Sequence, residues 1–313
     1  MKVLITGVAG FIGSHLGEAL IENGFDIIGV DSFSDYYPRT YKEKNIENLL
    51  GHKNFIFIEG DLLEIPLSFL SEIDYCFHQS AQPGVRRSWD MFSVYVKDNI
   101  LATQRLLDEV KKYPIKKFIY ASSSSVYGDA SLPLNEEAKP SPVSPYGTTK
   151  LCAENMVELY RKSYGFPTVS LRYFTVYGPR QRPDMAFFKF IKGGLLGETI
   201  TVFGDGGQTR DFTFVSDIVR ANVLAAESSA VGIFNIGGGH RITVNEAISL
   251  IEDVIGKKLK VEYISTQKGD MHDTLADIEK AKKELSFNPQ GNLKNGLLLE
   301  AEWIEKQIGQ VYT

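Results

Sequence analysis

The stretch KVLITGVAGFIGSHL, residues 2–16, decides the fold. Its first five residues are a short, almost continuously apolar run, as in a strand buried on both faces. Gly7, Gly10 and Gly13 follow at once, and the stretch from 11 to 23 reads as a helix closing on Asn23-Gly24. Glycines between a buried strand and a helix permit a tight turn. They also let a pyrophosphate approach the helix N-terminus, with Phe11 and Ile12 on the same loop. The spacing is Gly-x-x-Gly-x-x-Gly, not Gly-x-Gly-x-x-Gly, and alone it also suits a purely structural turn.

The alternation continues outward. DIIGV (26–30), FIFI (55–58), DYCFH (74–78), KFIYA (117–121) and TVSLR (168–172) read as further buried strands. A helix over 94–112 carries Val94, Ile100, Leu101, Leu106, Leu107 and Val110. Another is predicted from Ser144-Pro145, a cap and a first-turn proline, to Gly165, with Pro167 beyond. This predicts an α/β fold with a doubly wound parallel sheet. After about residue 174 the turn-rich pieces YGPRQRP (177–183), GDGGQ (204–208) and IGGGH (236–240) predict a smaller, mixed α/β substrate domain. A capping box, Thr243 to Glu246, opens its helix at 243–256. We expect domains over 1–174 and 175–313, with a segment near 210–236 able to return to the first.

Composition narrows the function classes. The 313 residues are 43% hydrophobic and 23% charged, with a net charge of −5. A chain binding nucleic acid would carry a basic face instead. No apolar stretch approaches the roughly 20 residues of a membrane span, and too few apolar residues precede Thr6-Gly7 for a signal peptide. Cys76 and Cys152 read as reduced, buried thiols, without a metal site or disulfide. A cytoplasmic protein is expected.

Asp31 ends the second strand, where a carboxylate takes both ribose hydroxyls of NAD and repels a 2′-phosphate. In GDL (60–62), Asp61 with Leu62 either reaches the adenine or makes a turn. Tyr146 and Lys150 lie four apart on one helix face. An adjacent ammonium and the cationic nicotinamide ring would favour the phenolate of Tyr146. Four serines, 122–125, follow the fifth strand. Such runs usually make linkers, but this one sits at the carboxyl end of a central strand.

Together the glycine triplet, the serines and Tyr-x-x-x-Lys resemble the extended short-chain dehydrogenase/reductases, NAD-dependent nucleotide-sugar epimerases and dehydratases with a Rossmann-like fold. The resemblance runs on to GDGGQTRDFTFVSDIV (204–219) and DMHDTLADIEKAKKEL (270–285). It implies catalytic Ser123, Tyr146 and Lys150, with Ser123 on the reacting sugar hydroxyl and Lys150 on the nicotinamide ribose. It implies Asn99 near that ribose, Arg210 on the diphosphate and Asp270 near the nucleotide ribose. HQSAQPG (78–84) departs from the family's His-apolar-Ala-Ala, so Gln79 and Ser80 are cofactor contacts on position alone. His78 and His15 read as structural, and Phe187, Phe188 and Phe190 as core. The resemblance also implies a homodimer through helices near 94–112 and 145–163.

Within that family, dehydratases carry Asp-Glu after the catalytic Ser or Thr, and UDP-glucuronate decarboxylases keep the Glu. Here the pair is Ser124-Ser125, which points to epimerisation. RYFTVYGPRQRPDMAFFKF (172–190), with Thr175 where UDP-galactose 4-epimerases have Asn, resembles UDP-glucuronate 4-epimerases. PGVRRSW (83–89) and SDYY (34–37) do too. Oxidising carbon 4 of glucuronate makes a β-keto acid, which decarboxylates when its carboxylate bond stands perpendicular to the ketone. Ser124, Ser125 and Thr175 would pin the carboxylate against that. Arg182 and Arg86 would add charge on the sugar side, Arg86 being equally readable as a solvated surface residue. The expected reaction interconverts UDP-glucuronate and UDP-galacturonate, the 4-keto sugar turning over about its diphosphate between two transfers. The alternatives are a UDP-glucose/UDP-galactose 4-epimerase, a decarboxylase, and a non-catalytic NAD-binding protein.

Overall fold

The computed structural model describes residues 1–239, 241–269 and 271–311, with side chains through residue 309. In chain order its first half comprises β1 (Lys2–Thr6), α1 (Phe11–Glu22), β2 (Asp26–Asp31), α2 (Arg39–Leu50), β3 (Phe55–Glu59), β4 (Tyr75–His78), α3 (Phe92–Tyr95), α4 (Ala102–Val110), β5 (Lys117–Ser123) and α5 (Pro145–Tyr164). There follow β6 (Thr168–Tyr173), β7 (Thr175–Tyr177), α6 (Ala186–Leu196), β8 (Thr199–Phe203), β9 (Thr209–Phe214), α7 (Val215–Glu227), β10 (Gly232–Ile236), β11 (Arg241–Thr243), α8 (Val244–Ile255), β12 (Lys260–Ile264), α9 (Glu279–Leu285) and α10 (Leu293–Val311).

Seven parallel strands form the large sheet in the order β10-β6-β5-β4-β1-β2-β3. Both faces are covered, which is why the strands read as apolar runs rather than alternating ones. Val3 and Ile5 point into one core with Leu16 of α1 and Ile218 of α7, while Leu4 points into the other with Leu106 of α4 and Val157 of α5. From β1 the chain steps to β2 and β3, then crosses back to β4 and runs the other way. The crevice opens at that reversal, outside the carboxyl ends of β1 and β4. A third core, with Phe187, Ile191, Ile251 and Leu297, underlies two smaller sheets, β11-β9-β7 and β12-β8.

The predicted caps form. Ser144 Oγ accepts from Gly147 N–H ahead of α5, which stops at Gly165, and the Thr243–Glu246 capping box opens α8. Two features differ from expectation. The fifth strand runs on through Ser122 and Ser123 because both stay in register with β6, opposite Arg172 and Tyr173. The helix expected over 94–112 is α3, a π-turn at Val96–Leu101, and α4. Its widened turn faces Asn99 inward. Within the segment near 210–236 read as able to return to the first domain, β10 extends the large sheet beyond β6, and α7 packs on the same face as α1. Among the described residues, no helix is long and apolar enough to cross a membrane, and no His, Cys, Asp and Glu cluster could hold a metal ion.

Candidate active site

An open cleft lies along the carboxyl ends of β1 to β6. Of the residues singled out in the sequence, Gly7, Gly10, Phe11, Ile12, Gly13, Asp31, Asp61, Leu62, Gln79, Ser80, Tyr146, Lys150 and Arg182 all line it. Two glycines are sterically required. Gly7 has φ +70°, and a Cβ there would stand 2.8 Å from the Ser80 backbone of the neighbouring loop. A Cβ on Gly13 would stand 2.1 Å from the Gly7 carbonyl. The first helical turn therefore packs directly on the loop, leaving its free N–H groups open to a diphosphate.

Asp31 is held rigidly. Its Oδ2 accepts from Ala9 N–H at 3.1 Å and its Oδ1 from Phe33 N–H at 2.9 Å. Burial pushes its carboxyl up, opposed by the Lys42 ammonium and those two hydrogen bonds. Asp61 makes the turn and also lines the cleft. It caps its own turn through Leu63 N–H, pairs with Lys97 at 2.7 Å, and still faces the cleft. Gln79 donates to Asn222 Oδ1 and accepts from Tyr173 Oη, so its amide is held across the floor. The glycine cradle, the carboxylate at the end of β2 and the length of the cleft fit a dinucleotide.

At the β5 end, Ser123 ends the strand and its Oγ accepts from Ser125 N–H at 3.1 Å, starting a short 3₁₀ turn over Ser124–Val126. Burial raises the pKa of Tyr146, while a hydrogen bond with Ser123 and the charge of Arg182 work against it. Arg182, which lines the same cleft, is thus a cation that favours the phenolate of Tyr146. The Lys150 Nζ lies over the Tyr120 ring, 4.4 Å from its centre, and burial pushes its pKa down to about 7 against the pull of Glu154. Arg182 is itself gripped by Asp184, at 2.9 and 3.1 Å, and Asp184 accepts from Tyr36 Oη at 3.0 Å.

Other expected residues stand elsewhere. Asn99 is 1% exposed and does not line the cleft; its amide bonds the backbone of Gln82 and the hydroxyl of Thr149, bracing the loop after β4 against α5. Arg86 lies outside the cleft with its guanidinium 3.7 Å above the Phe203 ring. Ser124 is buried and Ser125 half-buried in the 3₁₀ turn; Thr175 starts β7, two residues after Tyr173, the register partner of Ser123. Arg210, on β9, donates to the carbonyls of Thr209 and His272. Asp270 lies outside the described residues. His78 is a structural group, wedged between Thr6 and Thr103 hydroxyls. His15 bonds the Pro179 carbonyl at 2.9 Å.

Sequence reasoning gave no roles to Tyr36, Tyr37 or Lys42, which close the cleft from the β2–α2 loop and α2. Lys42, only 4% exposed, donates to the carbonyl and hydroxyl of Ser34 and stands beside Asp31. The one available signal was SDYY (34–37), which was read as a likeness and not as a wall of the site.

A model of the NAD dependent epimerase/dehydratase family matches residues 3–237. The chain is 45% identical to an uncharacterized UDP-glucose epimerase, YtcB, of Bacillus subtilis, covering 97% of this chain and 98% of that one. It is 40% identical to a UDP-glucuronate 4-epimerase of Thermodesulfobacterium geofontis, covering 97% and 96% respectively. The crystal structure of the UDP-glucuronic acid 4-epimerase of Bacillus cereus in complex with UDP-glucuronic acid and NAD superposes with a TM-score of 0.96 at 44% identity, covering 98% of this chain and all of that one. With its cradle, strand-end carboxylate and Tyr146–Lys150 helix face, the chain belongs to the NAD dependent epimerase/dehydratase family and is an NAD-dependent isomerase acting at carbon 4 of UDP-sugars.

Proposed function

We propose that the sugar is UDP-glucuronate, interconverted with UDP-galacturonate. The observation that carries this reading is the 3₁₀ turn after β5, where Ser123, Ser124 and Ser125 supply hydroxyls and no carboxylate. A dehydratase or decarboxylase acid has no counterpart there, and a substrate carboxylate meets neutral donors. Thr175 leaves the adjacent strand at the same end of the sheet. Arg182 supplies the cation on that side of the cleft. The relatives described as UDP-glucuronate 4-epimerases support the same substrate.

NAD, when bound, would supply the hydride chemistry at sugar carbon 4, removal from one face and return to the other. The chain's own work is with the proton. Tyr146 Oη takes it from the 4-hydroxyl and gives it back, a task worth about 10² to 10⁴ in rate. Ser123 Oγ, already bonded to Tyr146, orients the reacting hydroxyl. Gly7, Gly10 and Gly13 admit the diphosphate of the cofactor, and Asp31 holds its adenosine ribose. Arg210 serves the substrate diphosphate from β9. Large exposed side chains on the two helical stretches expected to dimerise, Leu101, Leu159 and Tyr164, support a homodimer.

The second reading, a UDP-glucose/UDP-galactose 4-epimerase, is favoured by the relative described as a UDP-glucose epimerase. Proton NMR of the purified protein with UDP-glucuronate, and separately with UDP-glucose, both without added NAD, separates the two. Conversion of UDP-glucuronate to UDP-galacturonate without UDP-pentose is expected. Turnover of UDP-glucose alone would overturn the uronate reading and leave Tyr146 its role.

A further inference from the structure

Ser122 is the one serine of the run without a task in the scheme above. Its Oγ donates to Glu154 Oε2 at 2.6 Å, beneath the cleft floor that Ser122 itself lines. The same carboxylate receives a two-pronged ion pair from Arg172 of β6, at 2.9 and 2.6 Å. Glu154 is 1% and Arg172 2% exposed, so the cluster is sealed from water. Glu154 also lies four residues beyond Lys150 on the buried face of α5, one helical turn away. The ion pair with Arg172 and three hydrogen bonds hold this carboxylate rigidly in a dry core, as a negative charge fixed in place.

We propose that Glu154, pinned by Ser122 and Arg172, is a positioning residue whose fixed charge keeps Lys150 protonated in the floor of the active site. The proposal rests on the reading of Lys150 as a working cation of the site. The need for such a charge is visible in the surroundings of Lys150. From its own helix it faces Tyr146 and Glu154; from β5, the Tyr120 ring; from β4, His78, whose protonation its charge opposes. Arg172 of β6 stands behind Glu154. Glu154 is thus the anion that opposes the burial of this ammonium, and burial alone drives Lys150 toward its neutral form. Arg172 in turn holds the carboxylate from behind, with Tyr127 stacked on its guanidinium at 4.6 Å.

The test is to follow the titration of Lys150 directly in the holoenzyme. Lysine labelled with ¹³C at Cε gives a resonance that the Lys150→Met protein identifies by its loss. In Glu154→Gln the midpoint of this resonance is expected to fall by about one pH unit, with kcat at pH 7 down about five-fold, KM for the sugar unchanged and the alkaline limb of kcat moved down equally. Removing one member of a buried pair strands the other. The double variant Glu154→Gln, Arg172→Met avoids the unpaired charge; because it also removes a cation, its midpoint is expected to fall less, and Glu154→Asp is expected to restore the midpoint. A folded Glu154→Gln protein whose Lys150 titrates as in the unaltered protein overturns the proposal, and so does a midpoint unchanged in the double variant where the single variant does not fold. Should Lys150→Met epimerise normally, the catalytic reading of Lys150 fails, while the resonance still decides whether Glu154 sets its charge.

Discussion

At the β2–β3 end of the cleft, the strand ends present carboxylates, Asp31 and Asp61; at the β5 end they present hydroxyls, and the cation is Arg182. The two ends also differ in how they are held. Asp31 is fixed by main-chain N–H groups within its own neighbourhood, Ala9 and Phe33. Arg182 is fixed by the side chain of Asp184, two residues on, which Tyr36 from far along the chain holds in turn. The carboxylate end favours a partner rich in hydroxyls and repels an added phosphate. The hydroxyl end sets neutral donors beside the Arg182 cation.

The sharpest way to break this comparison is at Tyr146. Tyr146→Phe keeps the ring against Tyr95, 6.3 Å away, and removes only the hydroxyl. We expect kcat to fall by about 10² to 10⁴, while the NAD carried through purification, measured by absorbance after denaturation, stays unchanged. Loss of NAD along with activity would mean that the hydroxyl serves binding rather than proton transfer.

Asp31→Asn probes the opposite end. An amide in place of the carboxylate keeps one acceptor and loses the charge-assisted bonds, so Kd for NAD should rise about 10- to 100-fold. The fluorescence of a titrated adenine-nucleotide analogue would measure this. An unchanged Kd, with kcat reduced instead, would show that the two ends of the cleft are not divided as described.

The ends are also tied together, because His15 of α1 bonds the Pro179 carbonyl and Arg180 pairs with Glu18 of α1, in the same loop that carries Arg182. Burial, then the charge of Arg180, lowers the pKa of His15 from 6.5 to about 4. A histidine with a depressed pKa stabilises the fold above its unfolded value and loses that contribution as pH falls. Stability should therefore decline between pH 6.5 and about 4, by about 1 to 3 kcal/mol from this group. In His15→Gln, urea unfolding should show a shallower decline over that range. A parallel decline in both proteins would assign the acid sensitivity elsewhere, with buried His78 the next group to test.

What the sequence disclosed follows the range of the forces involved. Strands buried on both faces announce themselves as apolar runs, and α1, α5 and α8 by their caps and stops. Helix α2 does not, because its buried side of Ile46 and Leu49 is completed by polar Lys42 and Asn45. Ser122 and Ser123 look like loop, yet the register with β6 and a buried acceptor keep them in the strand. The glycines, Asp31 and the Tyr146–Lys150 pair were legible because short spacings place them. Tyr36 was not, since its partner Asp184 is 148 residues away. Asn99 shows what position alone does not convey: the π-turn commits its amide to Gln82 and Thr149.

The finest division lies inside the hydroxyl end itself. Ser123 uses its oxygen to cap the 3₁₀ turn and to meet Tyr146, whereas the Ser125 contribution to that turn is its main-chain N–H, which does not engage its hydroxyl. Ser125→Ala therefore keeps the turn, and a small change in kcat, two- to five-fold, is expected from about 1 kcal/mol of lost hydrogen bonding. The telling signal is in the products. If the hydroxyls hold a uronate carboxylate near the plane of the transient ketone, their loss should let some turnovers end in decarboxylation. A UDP-pentose-type product would then appear in the proton NMR spectrum alongside UDP-galacturonate. If Ser125→Ala epimerises UDP-glucuronate at the same rate with no such product, the hydroxyl end is a neutral wall and its selectivity for an anion has to come from Arg182. The two outcomes assign the same cleft different chemistry: in one it restrains a reactive intermediate, in the other it only attracts a charge.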